Sequence, residues 1–281
     1  MYLDERYGKD GDKWFLNPEN YGRQLYRRPS SKEKKLPLMY ELEKKYNPEL
    51  LIKQLDEVED PAEEAEIKDK LNMVYENMAC QVLPLKDALK VAEIAVPLAT
   101  LSCVCRRQVR AKEERNKDEY TCLGTGVGML KWERWPERYK GGVHFLSPDE
   151  AKEWLIHWDK KGLMHCVMVY GQSEFGAPFV GGICNCDFSV CLVMRRRLDL
   201  GVRNFLLKSH YVAVCDYDQC NGCGICVQRC QYGAIKYEVT INKPNIDMTR
   251  CFGCGLCETG CPREAIELLE RADFPALREE W

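Results

Sequence analysis

The sequence predicts an α+β chain: a mostly helical N-terminal region with a small mixed α/β segment, followed by a compact C-terminal domain organised around cysteine. Three observations predict it. Helix-start signals recur between residues 47 and 150, a short apolar run follows the last of them, and two cysteine runs of identical spacing lie near the C-terminal end.

Asn47-Pro48-Glu49-Leu50 sets a capping side chain before a Pro at the first helical position, and Asp60-Pro61 repeats the device. Ile67, Leu71, Val74 and Met78 then share one helix face. Leu85, Ala88, Leu89, Ala92 and Val96 share another, which ends against Pro97. Ser147-Pro148-Asp149-Glu150 combines an N-cap, a Pro and a Glu at the third position. Ala151, Trp154, Leu155 and Trp158 form the stripe behind it, and Gly162 is the stop. Leu163 to Tyr170 is short and apolar enough for a buried strand. Residues 1–35 show no period and read as an extended arm laid over a neighbour or over this chain's own body. Residues 36–209 form the helical and mixed cysteine-rich domain, 210–271 the second cysteine domain and 272–281 a tail. The acidic run from Asp56 to Asp69 is most simply a solvated face.

The two C-terminal runs are Cys220-x2-Cys223-x2-Cys226-x3-Cys230 and Cys251-x2-Cys254-x2-Cys257-x3-Cys261-Pro262, at an offset of 31 residues (251 − 220). Each sets three thiols on one tight loop and a fourth just beyond it. Gly222 and Gly224, with Gly253 and Gly255, let backbone N–H groups approach a sulfide cage. Zinc sites use two separated Cys pairs, a different pattern. Each run leads into the same apolar handle, Gly233-Ala234-Ile235 and Glu264-Ala265-Ile266. From about Tyr211 to Leu269 the chain resembles bacterial dicluster ferredoxins. The resemblance implies a ferredoxin-type 2[4Fe–4S] domain in which the fourth Cys of each run ligates the other cluster. Cys220, Cys223, Cys226 and Cys261 would hold one cluster, and Cys251, Cys254, Cys257 and Cys230 the other. Gln231 departs from the family, which usually has Pro there; without Pro the turn is less rigid.

Six further cysteines lie upstream: Cys103 and Cys105, Cys122 in a glycine-rich turn, Cys184 and Cys186, and Cys191. Two Cys-x-Cys pairs from distant segments plus single cysteines suit a metal site assembled by tertiary folding. Between about Pro84 and Asp216 the chain looks like ferredoxin-domain oxidoreductase components that carry Cys-x-Cys-Arg, Thr-Cys-Leu and Ile-Cys-Asn-Cys segments. In that group the last segment is richer in cysteine; here Asp187 and Phe188 follow Cys186. A third [4Fe–4S] cluster drawn from four of the six is expected, with structural zinc or reduced buried thiols as alternatives. Cys80, Cys166 and Cys215 have no companion at ligand spacing and read as core residues.

Arg106 and Arg107, beside Cys105, are candidates to raise a cluster's potential, and Arg195-Arg196-Arg197 reads as a solvated face or a docking patch. His144, His157, His165 and His210 read as structural. Gly124-Thr125-Gly126-Val127-Gly128 fails the dinucleotide and P-loop patterns and reads as backbone wrapping Cys122.

At 281 residues the chain is too long for a bare ferredoxin, and among its 17 cysteines those at cluster spacing call for a reducing, cytoplasmic compartment. Met1-Tyr2-Leu3-Asp4-Glu5-Arg6 does not start as a secretory signal, no run is long enough for a direct membrane span, and a net charge of −3 argues against nucleic acid. Three clusters without a substrate-pocket signature would make a conductor. The expectation is an iron–sulfur electron-transfer subunit of an oxidoreductase, partnered by a flavin- or pterin-bearing subunit or a soluble carrier. The competing readings are an enzyme that reduces substrate at the upstream cluster, and a redox-sensing Fe–S protein.

Overall fold

Among the described residues the frame of the N-terminal part is a set of strands, of which the sequence announced the one expected at Leu163 to Tyr170 and found at Met164–Tyr170. The computed structural model describes residues 2–22, 45–75, 80–103, 105–106, 116–126, 129–132, 142–170 and 179–281. In chain order the elements are α1 (Tyr2–Tyr7), α2 (Glu19–Gly22), α3 (Pro48–Glu57), α4 (Pro61–Tyr75), β1 (Cys80–Leu83), α5 (Leu85–Ile94), β2 (Leu98–Leu101), β3 (Cys122–Thr125), α6 (Met129–Trp132), β4 (His144–Leu146), α7 (Pro148–Lys160), β5 (Met164–Tyr170), β6 (Phe179–Cys186), α8 (Leu192–Leu198) and β7 (Leu206–Leu207). Then come β8 (Tyr211–Cys215), α9 (Ile225–Arg229), β9 (Ile235–Glu238), β10 (Lys243–Ile246), α10 (Leu256–Thr259) and β11 (Ile266–Glu270).

Among the described residues β1–β7 form one sheet in the order β4-β2-β3-β6-β5-β1-β7, antiparallel except where β1 meets β7. This corrects the expected mostly helical region with a small mixed segment: the region is α+β, but a seven-stranded sheet spans it. The sheet is covered on both faces, so its strands lack apolar/polar alternation. Several are also built from residues that read as turns. Cys122, expected in a glycine-rich turn, opens β3, and Gly124-Thr125 continue it. Val127 and Gly128 lie outside the described residues, as do Met78, Arg107 and residues 23–44 of the arm and the region after it.

The helices start where their caps predict. Asn47 Oδ1 accepts from the backbone N–H of Glu49 and Leu50 at the start of α3, and Ile67, Leu71 and Val74 of α4 are buried. Helix α5 ends at Ile94, so Val96 lies beyond it and is exposed. At α7 the capping box closes: Ser147 Oγ accepts from Glu150 N at 3.3 Å, and Glu150 Oε2 accepts from Ser147 N at 2.8 Å. Ser147→Ala removes one half of this box. It is expected to cost about 1 kcal/mol, read as a fall in Tm of about 2–4 °C.

Because side chains alternate across a strand, the two faces of the sheet differ. One face presents Leu83, Leu98, Leu123, Val167 and Ile183 to α5 and α7, and Trp14, Phe15 and Tyr21 of the N-terminal segment pack into the same core. Within residues 2–22 the arm therefore lies on this chain's own body, with Trp14 Nε1 donating to Gln81 Oε1 at 2.6 Å. The other face presents Cys80, Val82, Met164, Cys166, Cys184 and Cys186. Its core includes Leu51, Ile67, Leu71 and Val74 of α3 and α4, and also Tyr232, Phe252, Cys254 and Leu256. The two cysteine domains thus share a core. A third core forms around the ladders β8–β11 and β9–β10, and Leu277 of the tail belongs to it.

Candidate metal centres

The C-terminal repeat is built from two left-handed glycines per run. Gly222 and Gly224 have φ of 74° and 75°, Gly253 and Gly255 have φ of 66° and 79°, a conformation that costs glycine little. It turns the loop so that backbone N–H groups face sulfur: Gly222 N lies 3.4 Å from Cys220 Sγ, Gly253 N 3.4 Å from Cys251 Sγ, and Ala265 N 3.3 Å from Cys261 Sγ. Helices α9 and α10 begin immediately after Gly224 and Gly255.

Two cavities of nearly equal size result, about 330 and 320 Å³ counting their mouths. The first is lined by Cys230, Cys251, Cys254 and Cys257, the second by Cys220, Cys223, Cys226 and Cys261. In each, three thiols of one run meet the fourth thiol of the other. The donors are all sulfur, the cradle is glycine backbone, and the space is enclosed by apolar side chains, so the residues fit a [4Fe–4S] group. The cavities differ in exposure: Cys251, Cys254 and Cys257 are buried, whereas Cys223 is exposed. Burial pushes the Cys254 thiol up to about 12 and raises Cys257. Such thiols ionise only when a metal cation takes the proton's place.

All six upstream cysteines are brought together. Register does part of this: Cys122 on β3 faces Cys184 on β6, which faces Cys166 on β5, a row of three sulfurs across neighbouring strands. The thiols are close enough to shift one another's pKa along a chain that runs from Cys105 to Cys103, Cys122, Cys184, Cys186 and Cys191, and Cys184 Sγ also lies 3.3 Å from Met168 Sδ. Cys166 and Cys80, read from sequence as isolated core residues, are buried and extend the same network from Cys184. Cys103 is pulled down by its contacts with Cys105 and Cys122. Cys122 is pushed up by its contacts with Cys103 and Cys184 together with burial. Contact with Cys122 pulls Cys184 down, but its contact with Cys166 and burial outweigh this and take it up to about 12. Among the described residues, no group of three or more His, Cys, Asp or Glu side chains meets at the spacing of a single ion. The third core-like cysteine, Cys215, is only partly buried and lies against Cys220 at the outer run.

Charged partners lock these segments. Arg106 is buried and pairs with Asp187 at 3.2 Å, so the residue following Cys186 ties that strand end to the Cys103–Cys105 loop. Arg195-Arg196-Arg197 lie on α8 and are engaged: Arg195 with Asp199, Arg196 over the Phe205 ring, and Arg197 donating to the carbonyls of Arg203 and Trp281. His165 bonds Asn185, and His210 pairs with Asp4 at 2.7 Å.

Three residues matter that the sequence did not single out in these roles. Gln231, where Pro was expected, accepts from Phe188 N at 2.8 Å and donates to Gly162 O at 2.5 Å, clamping the outer cysteine run to the β6 end. Arg271 is fully buried, and Tyr232 stacks on Phe252 with ring centroids 4.1 Å apart. A lone Arg after an apolar strand and a Tyr two residues after a Cys carry no periodic signal, so only a three-dimensional fold exposes them.

None of the curated proteins compared with the chain matches it. Residues 219–265 match the family model of the 4Fe-4S dicluster domain, and with both four-thiol cavities within or beside that span, this part of the chain is an iron–sulfur electron-transfer domain.

Proposed function

We propose that the chain is the iron–sulfur electron-transfer subunit of a multi-subunit oxidoreductase, relaying single electrons through two ferredoxin-type clusters and a third upstream centre. The observation that carries the reading is the shared core, in which Cys166, Cys184, Cys186 and Cys191 of the sheet domain pack with Tyr232, Phe252 and Cys254 of the dicluster domain. A [4Fe–4S] group supplies a one-electron couple whose potential follows burial and hydrogen bonding. Cys251, Cys254, Cys257 and Cys230 would hold the inner cluster, and Cys220, Cys223, Cys226 and Cys261 the outer. The upstream centre would take four of Cys103, Cys105, Cys122, Cys184, Cys186 and Cys191, an all-sulfur donor set that suits iron–sulfur chemistry.

The chain's residues prepare the two ends differently. At the inner end, apolar side chains exclude water. At the outer end Cys223 is exposed, and Tyr217, Tyr237, Val239 and Ile241 stand out from the same domain as exposed apolar residues. Such a surface fits a redox partner, a flavin- or pterin-bearing subunit or a soluble carrier. All 17 cysteines are free thiols, in keeping with a reducing, cytoplasmic setting. Among the described residues no helix is long and apolar enough to cross a membrane.

The test is iron and acid-labile sulfide per chain on anaerobically purified protein. About twelve of each is expected, against about eight if only the dicluster domain is loaded. Cys122 sits in the middle of the linked thiols, so Cys122→Ala is expected to bring about twelve iron down to about eight while the paramagnetic signals of the ferredoxin pair persist. A variant that keeps all its iron would remove the third centre from this reading.

A further inference from the structure

Tyr232 follows the outer run at Cys230-Gln231-Tyr232 but points inward. It is 6 % exposed. Its ring lies flat on Phe252 at an interplanar angle of 9°, and Phe252 follows Cys251 directly. The hydroxyl is buried and has no hydrogen-bond partner. An orphaned buried hydroxyl costs about 1–3 kcal/mol, so a group that the protein's own oxygen, nitrogen and sulfur atoms do not supply is expected to receive it. Tyr232 lines the cavity of Cys230, Cys251, Cys254 and Cys257. A cluster held by these four cysteines would present its sulfurs beside the phenol. A neutral thiol is a weak acceptor, but a sulfur bound to a metal carries negative charge and accepts well.

The placement is held from both sides. Gln231 anchors the preceding peptide to Gly162 and Phe188, and the Phe252 ring supports the phenol from below. The repeat supplies a control within the molecule: 31 residues on (232 + 31 = 263), the equivalent position is Arg263, which lines the outer cavity and is exposed. Its charge is screened by water and ions. The outer cavity therefore has no buried counterpart of the Tyr232 hydroxyl at that position.

We infer that Tyr232 donates its hydroxyl hydrogen to a sulfur of the cluster that would fill the cavity of Cys230, Cys251, Cys254 and Cys257, and thereby raises the potential of that inner cluster. The inference rests on the assignment of Cys230, Cys251, Cys254 and Cys257 to a single cluster. A hydrogen bond to sulfur stabilises the reduced, more negative state. Tyr232 is a positioning and tuning residue, acting through that sulfur.

The experiment is a redox titration, followed by electron paramagnetic resonance, of the anaerobic full-length chain carrying Tyr232→Phe or Tyr232→Leu. Iron is counted on each sample. Cys223→Ser marks the outer cluster, because only that signal should change. With Tyr232→Phe, iron content is expected to stay at the wild-type value. The reduced-to-oxidised ratio of the inner cluster at fixed potential should fall about tenfold, about 59 mV for a one-electron couple, while the outer midpoint stays in place. Tyr232→Leu should give the same shift. An unmoved inner midpoint at full iron overturns the inference alone, as does equal movement of both clusters or a shift with Leu and none with Phe. Fewer than about eight iron in the wild-type chain overturns the cluster assignment beneath it.

Discussion

Gly253→Ala is expected to abolish the inner centre. At φ of 66° an alanine is already strained, by about 1–2 kcal/mol. Its Cβ would also overlap the Ser209 hydroxyl and the Tyr211 carbonyl. The carbonyl belongs to β8 and cannot rotate away, because Tyr211 O also accepts from Arg271 at 2.8 Å. The loop carrying Cys251 and Cys254 must therefore leave its place, with a loss of about four iron per chain and a destabilisation above about 3 kcal/mol. Gly224→Ala is the matched control. Its φ is 75°, yet a Cβ there meets only the Tyr237 ring, at 3.9 Å. That variant should keep its iron and lose only the backbone strain, about 1–2 kcal/mol. Iron counts and thermal unfolding of the two variants decide the matter, and wild-type values for Gly253→Ala would show that the Cys251 loop has slack the packing does not suggest.

Arg271→Ala should be comparably severe. The side chain is wholly buried, and its guanidinium donates from Nε to Ser209 O at 3.1 Å and from Nη2 to Tyr211 O and Cys251 O, each at 2.8 Å. Burial lowers its pKa from the usual arginine value, and the neighbouring Cys251 thiol opposes that shift. The three carbonyls join the end of the sheet domain, the start of β8 and the inner cysteine loop. Alanine takes three donors from these carbonyls, of which Tyr211 O keeps the Ser209 hydroxyl at 3.4 Å, at a cost of about 1–3 kcal/mol for each acceptor left unmatched. Arg271→Lys keeps the charge but not the planar fork, so it should recover only part of the loss. Anaerobic urea unfolding measures the effect, and a change within about 1 kcal/mol would mean that water or a shifted carbonyl replaces the guanidinium.

The helices and the cysteine loops were readable because their signals are local. Asn47-Pro48, Asp60-Pro61 and Ser147-Pro148 each hold the donor or acceptor that starts a helix within four residues of one another. The Cys-x2-Cys-x2-Cys loops likewise carry their glycines inside the run. Local signals fail where the partner is distant. Cys122 read as a turn because Gly124 and Gly126 follow it, yet pairing with β6 draws it into a strand. Cys80 and Cys166 read as ordinary core because neither has a sulfur neighbour in the chain, yet both join the linked thiols.

Composition and spacing were thus enough to establish that this protein carries two four-thiol loops in a repeat and a helical frame with defined starts. Each of those choices is made by contacts a few residues long. Only the tertiary structure decided that the cysteines of β1, β3, β5 and β6 share a face, that Tyr232 and Arg271 are buried beside the inner loop, and that the two cysteine domains share a core. The physical reason is that a strand's two-residue period says which residues share a side but not which side, or which neighbour, they meet. Register and packing across more than a hundred residues of chain supply that answer.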